Sequence, residues 1–298
     1  MELEKVRNVA VIGAGAMGAQ IAELLSKVGN YSVMLWDIND ELVKAGLDSI
    51  GTRLKQFFVD KGKMSQEEMN AIVGRIKGTT SIAEAVGKAD YVIEAIVENM
   101  RIKKDVFKQL DENAPADAIL ASNTSALNIS EMAGATGRAD KVVGMHFFNP
   151  VGVMKLVEVV VGALTSKETV EFACALATKL GKEPVMCKDF SFGFLANRAY
   201  RALRNEAVQM VWERVASPQD IDKALKLGYN LPMGPLEVGD FTGGWAIFYA
   251  SEEEAMREQG VVKGQLHPLV RMMVRAGYTG GRNKKGIYDF WNDVLSKW

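Results

Sequence analysis

A short glycine-rich segment, GAGAMG, constrains the fold of this chain more than any other stretch of the sequence. It covers residues 13–18 and directly follows VRNVAVI, a run rich in β-branched residues. It opens a stretch whose apolar residues recur at helical spacing and which stops at Gly29 and Asn30, a normal helix end. A strand, a tight glycine turn and a helix in this order predict the first unit of a mainly parallel α/β sheet.

The glycines of this segment predict a dinucleotide site, because each glycine has its own role in such a loop. Gly13 permits the tight turn, Gly15 lets a pyrophosphate approach the backbone, and Gly18 lets the helix pack closely on the strand. The N-terminus of the helix then stabilises the phosphates. The expected cofactor loop is Gly13, Gly15, Ala16, Met17 and Gly18. A purely structural glycine turn is the alternative.

An acidic residue, Asp37, ends the next predicted strand, YSVMLWD. Its distance from the glycine loop is about the 20 residues at which dinucleotide-binding folds place the carboxylate that contacts the ribose. A carboxylate there accepts hydrogen bonds from the adenosine ribose hydroxyls and repels a 2′-phosphate. We therefore predict NAD, rather than NADP, as the cofactor.

Strand and helix patterns alternate over the first two thirds of the chain and then change. The predicted strands cover residues 6–12, 31–37, 91–96, 119–122, 142–147 and 156–161. Helical patterns lie between most of them, including a long amphipathic helix from about Asp40, so we expect a mainly parallel sheet covered on both faces. No convincing strand follows Cys187, and further helices are predicted near Gly193, from Pro218, from Pro235 and from Gly264. We place the domain boundary near residues 188–192, with an α/β domain over 1–188 and an all-α domain over 189–298.

Composition excludes several classes of function. The 298 residues carry 36 basic and 37 acidic side chains, a balance that argues against a nucleic-acid partner. No uncharged run approaches the length of a membrane span, and the first residues show no signal-peptide pattern. Cys174 and Cys187 lack metal-site and CxxC spacing, so we predict reduced, buried thiols, no metal site and a cytoplasmic protein.

One of the two histidines, His146, lies in an unexpectedly apolar stretch, VVGMHFFNPVGVMKLVEVVVG, which also contains Glu158. The stretch predicts two buried strands with a short turn between them, and burying either polar group costs free energy unless it is paired. A tight turn would bring the two side chains opposite each other, at the edge of the sheet where ligands bind. The carboxylate would fix the imidazole tautomer and leave the other nitrogen free for proton transfer. A satisfied core histidine is the alternative.

Several motifs together resemble one family. VIGAGAMG, VIEAIVEN, ASNTSAL, HFFNPV, MKLVEVV, an NR pair in the long helix and LPMGPLE occur in this order, and they are typical of L-3-hydroxyacyl-CoA dehydrogenases. The resemblance covers essentially the whole chain and is closest to the short, single-function branch acting on 3-hydroxybutyryl-CoA. It implies a Rossmann-like N-terminal domain and a helical, substrate-binding C-terminal domain that forms a homodimer. The chain departs from the family in reading DFSFGF, without the usual proline, before the NR helix.

The resemblance also implies roles for individual residues. His146 corresponds to the catalytic base and Glu158 to its partner. Ser125 would hydrogen-bond the substrate oxygen or the histidine, and Asn197 would help to hold the reacting carbonyl or hydroxyl of the substrate. The positions implied in NAD binding are Asp37, Glu98, Lys103, Ser125, Asn149 and Arg282. Each has an ordinary structural alternative, such as a surface charge at a helix start or a turn residue.

A cluster of basic residues on the helix after Asp37 is the expected docking point for the coenzyme A phosphates. It comprises Arg53, Lys55, Lys61 and Lys63. In a chain with a formal net charge of −1, a local cluster is the plausible way to hold an anionic handle. A solvated helix face is the alternative reading.

The expected reaction is the NAD-dependent interconversion of (S)-3-hydroxyacyl-CoA and 3-ketoacyl-CoA, with short acyl chains such as 3-hydroxybutyryl and acetoacetyl. A dehydrogenase of the same superfamily that acts on a free hydroxy acid or sugar acid is the first alternative, and the basic helix argues against it. A non-catalytic NAD-binding structural protein is the second. Retention of Ser125, His146, Glu158 and Asn197 together argues against that reading.

Overall fold

A computed structural model describes residues 2–190, 192–241, 244–250 and 267–297. The chain divides into two compact units, Met1–Phe194 and Leu195–Trp298, and each is described here by itself. The first unit is built around one sheet. In the described part of the second unit, all regular secondary structure is helical. This is the α/β domain followed by an all-α domain that the sequence predicts.

The sheet of the first unit has eight strands among the described residues, in the order β3-β2-β1-β4-β5-β6-β7-β8. The strands are β1 Asn8–Ile12, β2 Ser32–Trp36, β3 Ile76–Thr79, β4 Tyr91–Glu94, β5 Ile119–Ser122, β6 Val142–Phe147, β7 Leu156–Val161 and β8 Glu183–Lys188. Neighbouring strands run parallel, except that β6 and β7 are antiparallel. The prediction of a mainly parallel sheet is therefore confirmed.

Helices cover both faces of this sheet. They are α1 Ala16–Lys27, α2 Asp40–Leu54, α3 Gln66–Gly74, α4 Ile82–Val86, α5 Met100–Asn113, α6 Ile129–Ala133 and α7 Lys167–Lys179. Successive residues of β1 face opposite sides, so Val9 and Val11 join one apolar core and Ala10 and Ile12 join the other. Because both faces are buried, the central strands are continuous apolar runs without alternation, which explains why they were recognisable in the sequence.

The strand order reverses between β1 and β4, and this reversal positions the ligand site. β1 pairs with β2 on one side and with β4 on the other. The helices α1 and α5, which follow β1 and β4, pack on opposite faces of the sheet. Ile12, Glu94 and Ser122 end three neighbouring strands side by side. In open α/β sheets, ligands bind in the crevice outside the carboxyl ends of the strands at such a reversal.

Three details differ from the sequence-based prediction. Strands β3 and β8 were not predicted; both lie at the edges of the sheet, and both are short or partly exposed. The helix predicted from Asp40 to about residue 63 ends earlier, because α2 passes at Leu54 into a π-helical segment, Lys55–Val59. The short turn predicted between β6 and β7 is a longer loop, residues 148–155.

The second unit contains helices α8 Ala196–Trp212, α9 Pro218–Tyr229, α10 Pro235–Phe241, α11 Pro268–Arg275 and α12 Ile287–Asp293. Residues 245–250 are also helical. The predicted cap of α9 is confirmed, since Ser217 Oγ accepts a hydrogen bond from the Asp220 N–H at 3.1 Å. The helix start predicted at Gly264 lies outside the described residues. A core of side chains including Val211, Leu236 and Trp245 holds these helices together.

Candidate active site

The glycine loop has the geometry of a phosphate-binding turn. Gly13 has φ +109°, a left-handed conformation that favours glycine, and a Cβ there would lie 2.6 Å from the carbonyl oxygen of Ala95. A Cβ on Gly18 would lie 1.8 Å from the carbonyl oxygen of Gly13, so only glycine lets α1 approach the loop this closely. Around the Cβ position of Gly15 the space is open for at least 4 Å within the described part of the chain.

The open space at Gly15 lies directly at the N-terminus of α1. Gly15 is the cap residue, without a side-chain hydrogen bond to the first turn, and Ala16 and Met17 are the first helical residues. The N–H groups of this turn point out of the helix start and remain for a ligand. Gly13 and Gly18 are thus sterically confined to glycine, and the open space at Gly15 fits a pyrophosphate.

Asp37 lies next to this loop, at the carboxyl end of β2. Its Oδ2 accepts a hydrogen bond from the Ala14 N–H at 2.7 Å, and its Oδ1 accepts one from the Ile38 N–H at 2.8 Å. Each carboxylate oxygen has further lone pairs, so the side chain is oriented without being saturated. Since it is only half-buried, it can accept further hydrogen bonds from a ligand at the glycine loop.

His146 and Glu158 lie opposite each other in the antiparallel pair β6–β7. The imidazole Nδ1 is 2.7 Å from Glu158 Oε2, and the two residues are 3% and 0% exposed. The rings of Phe148 and Phe194 pack against the imidazole, with centroids 4.5 Å and 6.0 Å away. The predicted pairing is present, although the imidazole is more deeply buried than the predicted free nitrogen implies. Nδ1 is therefore the ring nitrogen that faces the carboxylate, and Nε2 is the one that does not.

The turn after β5 carries Ser125 and is attached to Glu98. Glu98 Oε1 accepts hydrogen bonds from Thr124 Oγ1 at 2.6 Å and from the Ser125 N–H at 2.8 Å. Ser125 itself is exposed, and the Glu98 side chain is 41% exposed. Lys103, in contrast, is 1% exposed, with its ammonium between Glu94 and Glu98. The structure therefore brings Ser125 and Glu98 together at the sheet edge and places Lys103 beneath them.

Asn149 lies in the loop between β6 and β7 and is linked to the helix of the glycine loop. Gln20 of α1 donates from Nε2 to Asn149 Oδ1 at 3.1 Å and accepts from the Val151 N–H at 2.9 Å. From the opposite side, Lys182 donates to the carbonyl oxygens of Val151 and Met154. Burial lowers the pKa of Lys182, and Lys155 lowers it further. These contacts hold the loop between β6 and β7 against α1, the helix that follows the glycine loop.

Two of the four predicted coenzyme A contacts line a cleft of about 650 Å³ beside α1 and α2. Arg53 and Lys63 lie in its wall together with the largely exposed Phe57, whereas Lys55 and Lys61 are exposed outside it. Arg53 Nε is 2.9 Å from Glu23 Oε2, and burial raises the pKa of Glu23 although Arg53 opposes the shift. Among the described residues, Arg53 Nη2 is buried without a hydrogen-bond partner.

The remaining predicted residues belong to the second unit. Asn197 is an exposed residue in the first turn of α8, and Arg282 is exposed in the turn between α11 and α12. Across the described residues, no three His, Cys, Asp or Glu side chains are arranged to hold a metal ion. In the same part of the chain, every helix is too short or too polar to cross a membrane. Cys174 and Cys187 are free and only half-buried, so the prediction that they are buried was wrong.

Sequence reasoning missed three residues of this site, Glu94, Thr124 and Gln20. Glu94 is a carboxylate at the end of an apolar strand, the same signal that identified Asp37, and could have been recognised by it. Thr124 lies within the quoted SNTS motif but has no feature that separates it from an ordinary turn residue. Gln20 is one polar residue on an amphipathic helix, and nothing in the sequence marks its contact with Asn149.

A sheet with this strand reversal, a glycine loop at the start of α1 and a carboxylate at the end of β2 define a dinucleotide-binding domain. Comparison with known proteins gives the family. Residues 8–190 match the NAD binding domain of 3-hydroxyacyl-CoA dehydrogenase, and residues 193–290 match its C-terminal domain. The chain belongs to the 3-hydroxyacyl-CoA dehydrogenase family, whose members are NAD-dependent oxidoreductases. The resemblance stated from the motifs is confirmed.

Individual relatives are similar over nearly their whole length. A probable 3-hydroxybutyryl-CoA dehydrogenase of Bacillus subtilis is 43% identical over 286 residues, which are 96% of this chain and 98% of the relative. The 3-hydroxybutyryl-CoA dehydrogenase of Clostridioides difficile is 43% identical over 95% of this chain and 99% of its own. The crystal structure of the (S)-3-hydroxybutyryl-CoA dehydrogenase of Ralstonia eutropha superposes with a TM-score of 0.89 at 39% identity, covering 95% and 99% of the two chains.

Proposed function

We propose that this protein interconverts (S)-3-hydroxybutyryl-CoA and acetoacetyl-CoA, with His146 as general base and acid and Glu158 as its partner. The observation that carries the proposal is the 2.7 Å contact between His146 Nδ1 and Glu158 Oε2 at an edge of the cofactor-binding sheet. The names of the relatives from B. subtilis, C. difficile and R. eutropha support the choice of a short acyl chain.

The residues of the first unit fit NAD. The glycine loop and the start of α1 would hold the pyrophosphate, and Asp37 would accept hydrogen bonds from the adenosine ribose. Glu98, Ser125 and Asn149 are exposed at the edge of the same sheet and would contact the remainder of the cofactor. When bound, NAD accepts the hydride in the oxidative direction, and NADH returns it in the reductive direction.

The protein's own contribution to the reaction is a proton transfer. In the oxidative direction His146 Nε2 removes the proton from the 3-hydroxyl of the substrate, and in the reductive direction the imidazolium returns it to the oxygen. An imidazolium among phenylalanine rings is costly unless a counter-charge lies beside it. Glu158 supplies that charge at Nδ1 and fixes the ring in the tautomer whose Nε2 accepts the proton.

Other residues would hold the substrate. We assign Ser125 to the reacting oxygen, because its side chain is exposed on a turn whose backbone is fixed by Glu98. Asn197 has the exposure that a second substrate contact requires, and the family resemblance gives it that role. Arg282 is exposed in the same way, and we retain it as a contact to NAD. Most of the cofactor contacts would thus lie in the first unit, and the second unit would contribute Asn197 to substrate binding and the surface for dimerisation.

The coenzyme A handle would lie in the cleft beside α2. Arg53 offers an Nη2 without a partner among the described residues, Lys63 adds a second positive charge, and Phe57 offers an aromatic surface. Lys55 and Lys61 are exposed nearby and would act on the phosphates at longer range. Replacing Lys63 by glutamine should raise KM for acetoacetyl-CoA about threefold at low salt, and less at high salt, because exposed charges are screened. The exposed Lys88 is a matched control.

The substrate assignment is tested with NADH and a series of 3-ketoacyl-CoA substrates of increasing chain length. We expect the highest kcat/KM for acetoacetyl-CoA, and a maximum at a long chain would contradict the proposal. Acetoacetate should be a poor substrate, because contacts to the coenzyme A handle position the reacting carbon. Equal use of acetoacetate would favour a dehydrogenase of free hydroxy acids instead.

We further propose a cytoplasmic homodimer formed through the second unit. The free cysteines agree with a reducing compartment. The helical unit exposes several large apolar side chains, and apolar surface of this kind is typical of an interface. They are Trp212, Val215, Leu227, Tyr229, Phe241 and Ile247. Light scattering should give twice the chain mass of 32.6 kDa, and an active monomer would contradict the dimer.

A further inference from the structure

The last stretch of the first unit reads DFSFGF, and its first residue is attached to helix α6. Asp189 is 4% exposed, and its Oδ2 accepts hydrogen bonds from the N–H and from the Oγ of Ser130, both at 2.7 Å. Its carbonyl oxygen accepts a further hydrogen bond from Asn128 Nδ2 at 3.0 Å. Because Asn128 is the cap residue of α6, the start of this helix determines where the stretch leaves β8.

The last residue of the stretch, Phe194, is buried in the core of the first unit. It is 2% exposed and belongs to the apolar cluster that contains Leu127 and Val160. Its backbone has φ +51°, a left-handed conformation that bulky residues rarely adopt. Such a conformation persists only where the surrounding structure determines it, and it is common at functional sites. The backbone at Phe194 therefore directs attention to what its ring contacts.

The ring of Phe194 packs against the imidazole of His146. The two centroids are 6.0 Å apart and the planes make an angle of 60°, which is an edge-to-face arrangement. The ring of Phe148 is nearer, at 4.5 Å, but it belongs to the loop between β6 and β7 and is partly exposed. Of the two aromatic contacts to the imidazole, the one from Phe194 is thus the one that the core of the unit fixes.

The imidazole needs such a contact, because its hydrogen bond to Glu158 fixes only one point of the ring. Glu158 Oε2 lies 2.7 Å from Nδ1, and a ring held at one atom can still swing about it. The torsion that joins a histidine ring to its Cβ has broad minima, so the orientation of the ring depends on its neighbours. A general base must lie within hydrogen-bond reach of the proton that it removes, and small displacements from that geometry lower the rate.

We propose that Phe194 is a positioning residue for the reaction, and that its ring holds the His146 imidazole in the orientation that presents Nε2 to the substrate. With 2% of its surface exposed, Phe194 has almost nothing to offer a substrate directly and acts through His146. The inference rests on the proposed role of His146 as general base and acid. It gives the DFSFGF stretch, which departs from the usual sequence of the family, a function at the active site of the first unit.

The first test is a double-mutant cycle on turnover of acetoacetyl-CoA with NADH. Phe194→Leu keeps an apolar side chain but removes the ring, so kcat should fall about 10-fold while both KM values stay within about twofold. In the His146→Gln background the same substitution should change kcat less than about twofold, because the group that it positions is gone. Equal losses in both backgrounds, or an unchanged kcat in Phe194→Leu, would overturn the proposal. If Phe194→Leu does not fold, Phe194→Met, whose flexible side chain fills irregular gaps, takes its place with the same expectations.

A matched control lies on the opposite face of the same sheet. Phe172 of α7 is 6% exposed and stacks on the ring of Tyr91, with centroids 5.5 Å apart, in the other apolar core. Phe172→Leu should lower the melting temperature but leave kcat within about twofold. An equal loss of kcat in Phe172→Leu would show that the loss of any buried aromatic ring has this effect, and it would overturn the specific role of Phe194.

The second test observes the imidazole itself, without NADH or acyl-CoA. The chain has two histidines, so the nitrogen resonances of their side chains can be assigned by comparison with His146→Gln. These resonances respond mainly to hydrogen bonding and protonation, and much less to the loss of a neighbouring ring. Phe194→Leu should shift those of His146 and leave those of His267 in place, and unshifted His146 signals would overturn the proposal. Normal turnover in His146→Gln would contradict the proposed function instead, while shifted signals would still show that Phe194 orients the ring.

Discussion

Two glutamates of the central sheet have the same environment but different partners. Glu158 of β7 and Glu94 of β4 are both 0% exposed, and each lies within a short hydrogen bond of a nitrogen base. Glu158 is 2.7 Å from an imidazole nitrogen of His146, and Glu94 is 2.6 Å from the ammonium of Lys103. Burial alone therefore does not decide what a carboxylate does in this protein.

The role of each glutamate depends on its basic partner, which is His146 for Glu158 and Lys103 for Glu94. An imidazole is the side chain that most often takes up and releases a proton in catalysis, whereas a lysine ammonium is a compact point charge that holds its hydrogen-bond partners in place. The contact with His146 therefore suits proton transfer, and the contact with Lys103 suits a fixed geometry. We therefore expect Glu158 to stabilise a charge that forms during the reaction, and Glu94 to hold its neighbours in place. The predictions below test this division, beginning with the largest expected effect.

Replacing His146 by glutamine should give the largest loss of turnover. The substitution removes the group that moves the proton, and general acid–base catalysis contributes about 10²- to 10⁴-fold. We expect kcat with acetoacetyl-CoA and NADH to fall by a factor in this range. NADH affinity, measured by fluorescence titration, should stay within about twofold, because His146 pairs with Glu158 and has no hydrogen bond to Glu94 or Lys103. Near-normal turnover would show that the proton moves elsewhere.

Glutamine at each of the two glutamates separates the two roles. Glu158→Gln keeps the shape but cannot stabilise the imidazolium, so kcat should fall about 10²-fold while NADH affinity is kept. Glu94→Gln should do the reverse, with NADH affinity falling more than kcat measured at saturating NADH. The loss in Glu158→Gln should not add to that in His146→Gln, because the two side chains act as a unit. Equal effects of the two variants on both quantities would break the comparison.

The sequence predicted the first of these two sites and missed the second. His146 and Glu158 interrupt an apolar stretch that is otherwise uniform, and both lie on strands whose pairing brings them opposite each other. Glu94 also ends an apolar strand, but its partners Lys103 and Ser122 come from a helix and from another strand. Their proximity depends on tertiary structure, and no local pattern in a single sequence reports it.

Prediction of the strands from the sequence was limited in a similar way. The central strands are buried on both faces and were predicted from their apolar runs, whereas β3 and β8 were missed at the two edges. An edge strand has neighbours on one side only and tolerates residues that a central strand excludes. IKGT has a single large apolar residue, and EPVMCK contains a proline, which argues against a strand in the sequence. The tight turn at the glycine loop, in contrast, could be predicted, because its geometry leaves no room for a side chain at Gly13 and Gly18 and so marks the sequence with glycines.

Asp37 is a third carboxylate, half-buried and hydrogen-bonded to the N–H groups of Ala14 and Ile38, and it extends the comparison because we assign it to the cofactor. Like-charge repulsion of a 2′-phosphate by about 2 kcal/mol corresponds to roughly a 30-fold preference for NADH over NADPH in kcat/KM. Asp37→Asn keeps an oxygen for the Ala14 N–H and removes the charge, so the preference should shrink while kcat/KM for NADH changes less. A preference for NADPH in the wild-type protein would contradict the assignment.

The smallest effect concerns Cys187, which reports the charge of Glu158 in the resting protein. Burial and, to a smaller extent, the charges of Glu158 and Asp189 together raise the pKa of this thiol to about 11. If Glu158 is ionised beside His146, Glu158→Gln should lower the pKa of Cys187 and increase the thiolate fraction at pH 9. We expect alkylation of Cys187 at that pH to become about threefold faster, because the thiolate is the reactive form. Cys174 is the internal control, since its pKa is raised by burial and by Glu171. Site-resolved mass spectrometry compares the two rates, and an unchanged rate at Cys187 would mean that Glu158 is uncharged in the resting protein, which would end its contrast with Glu94.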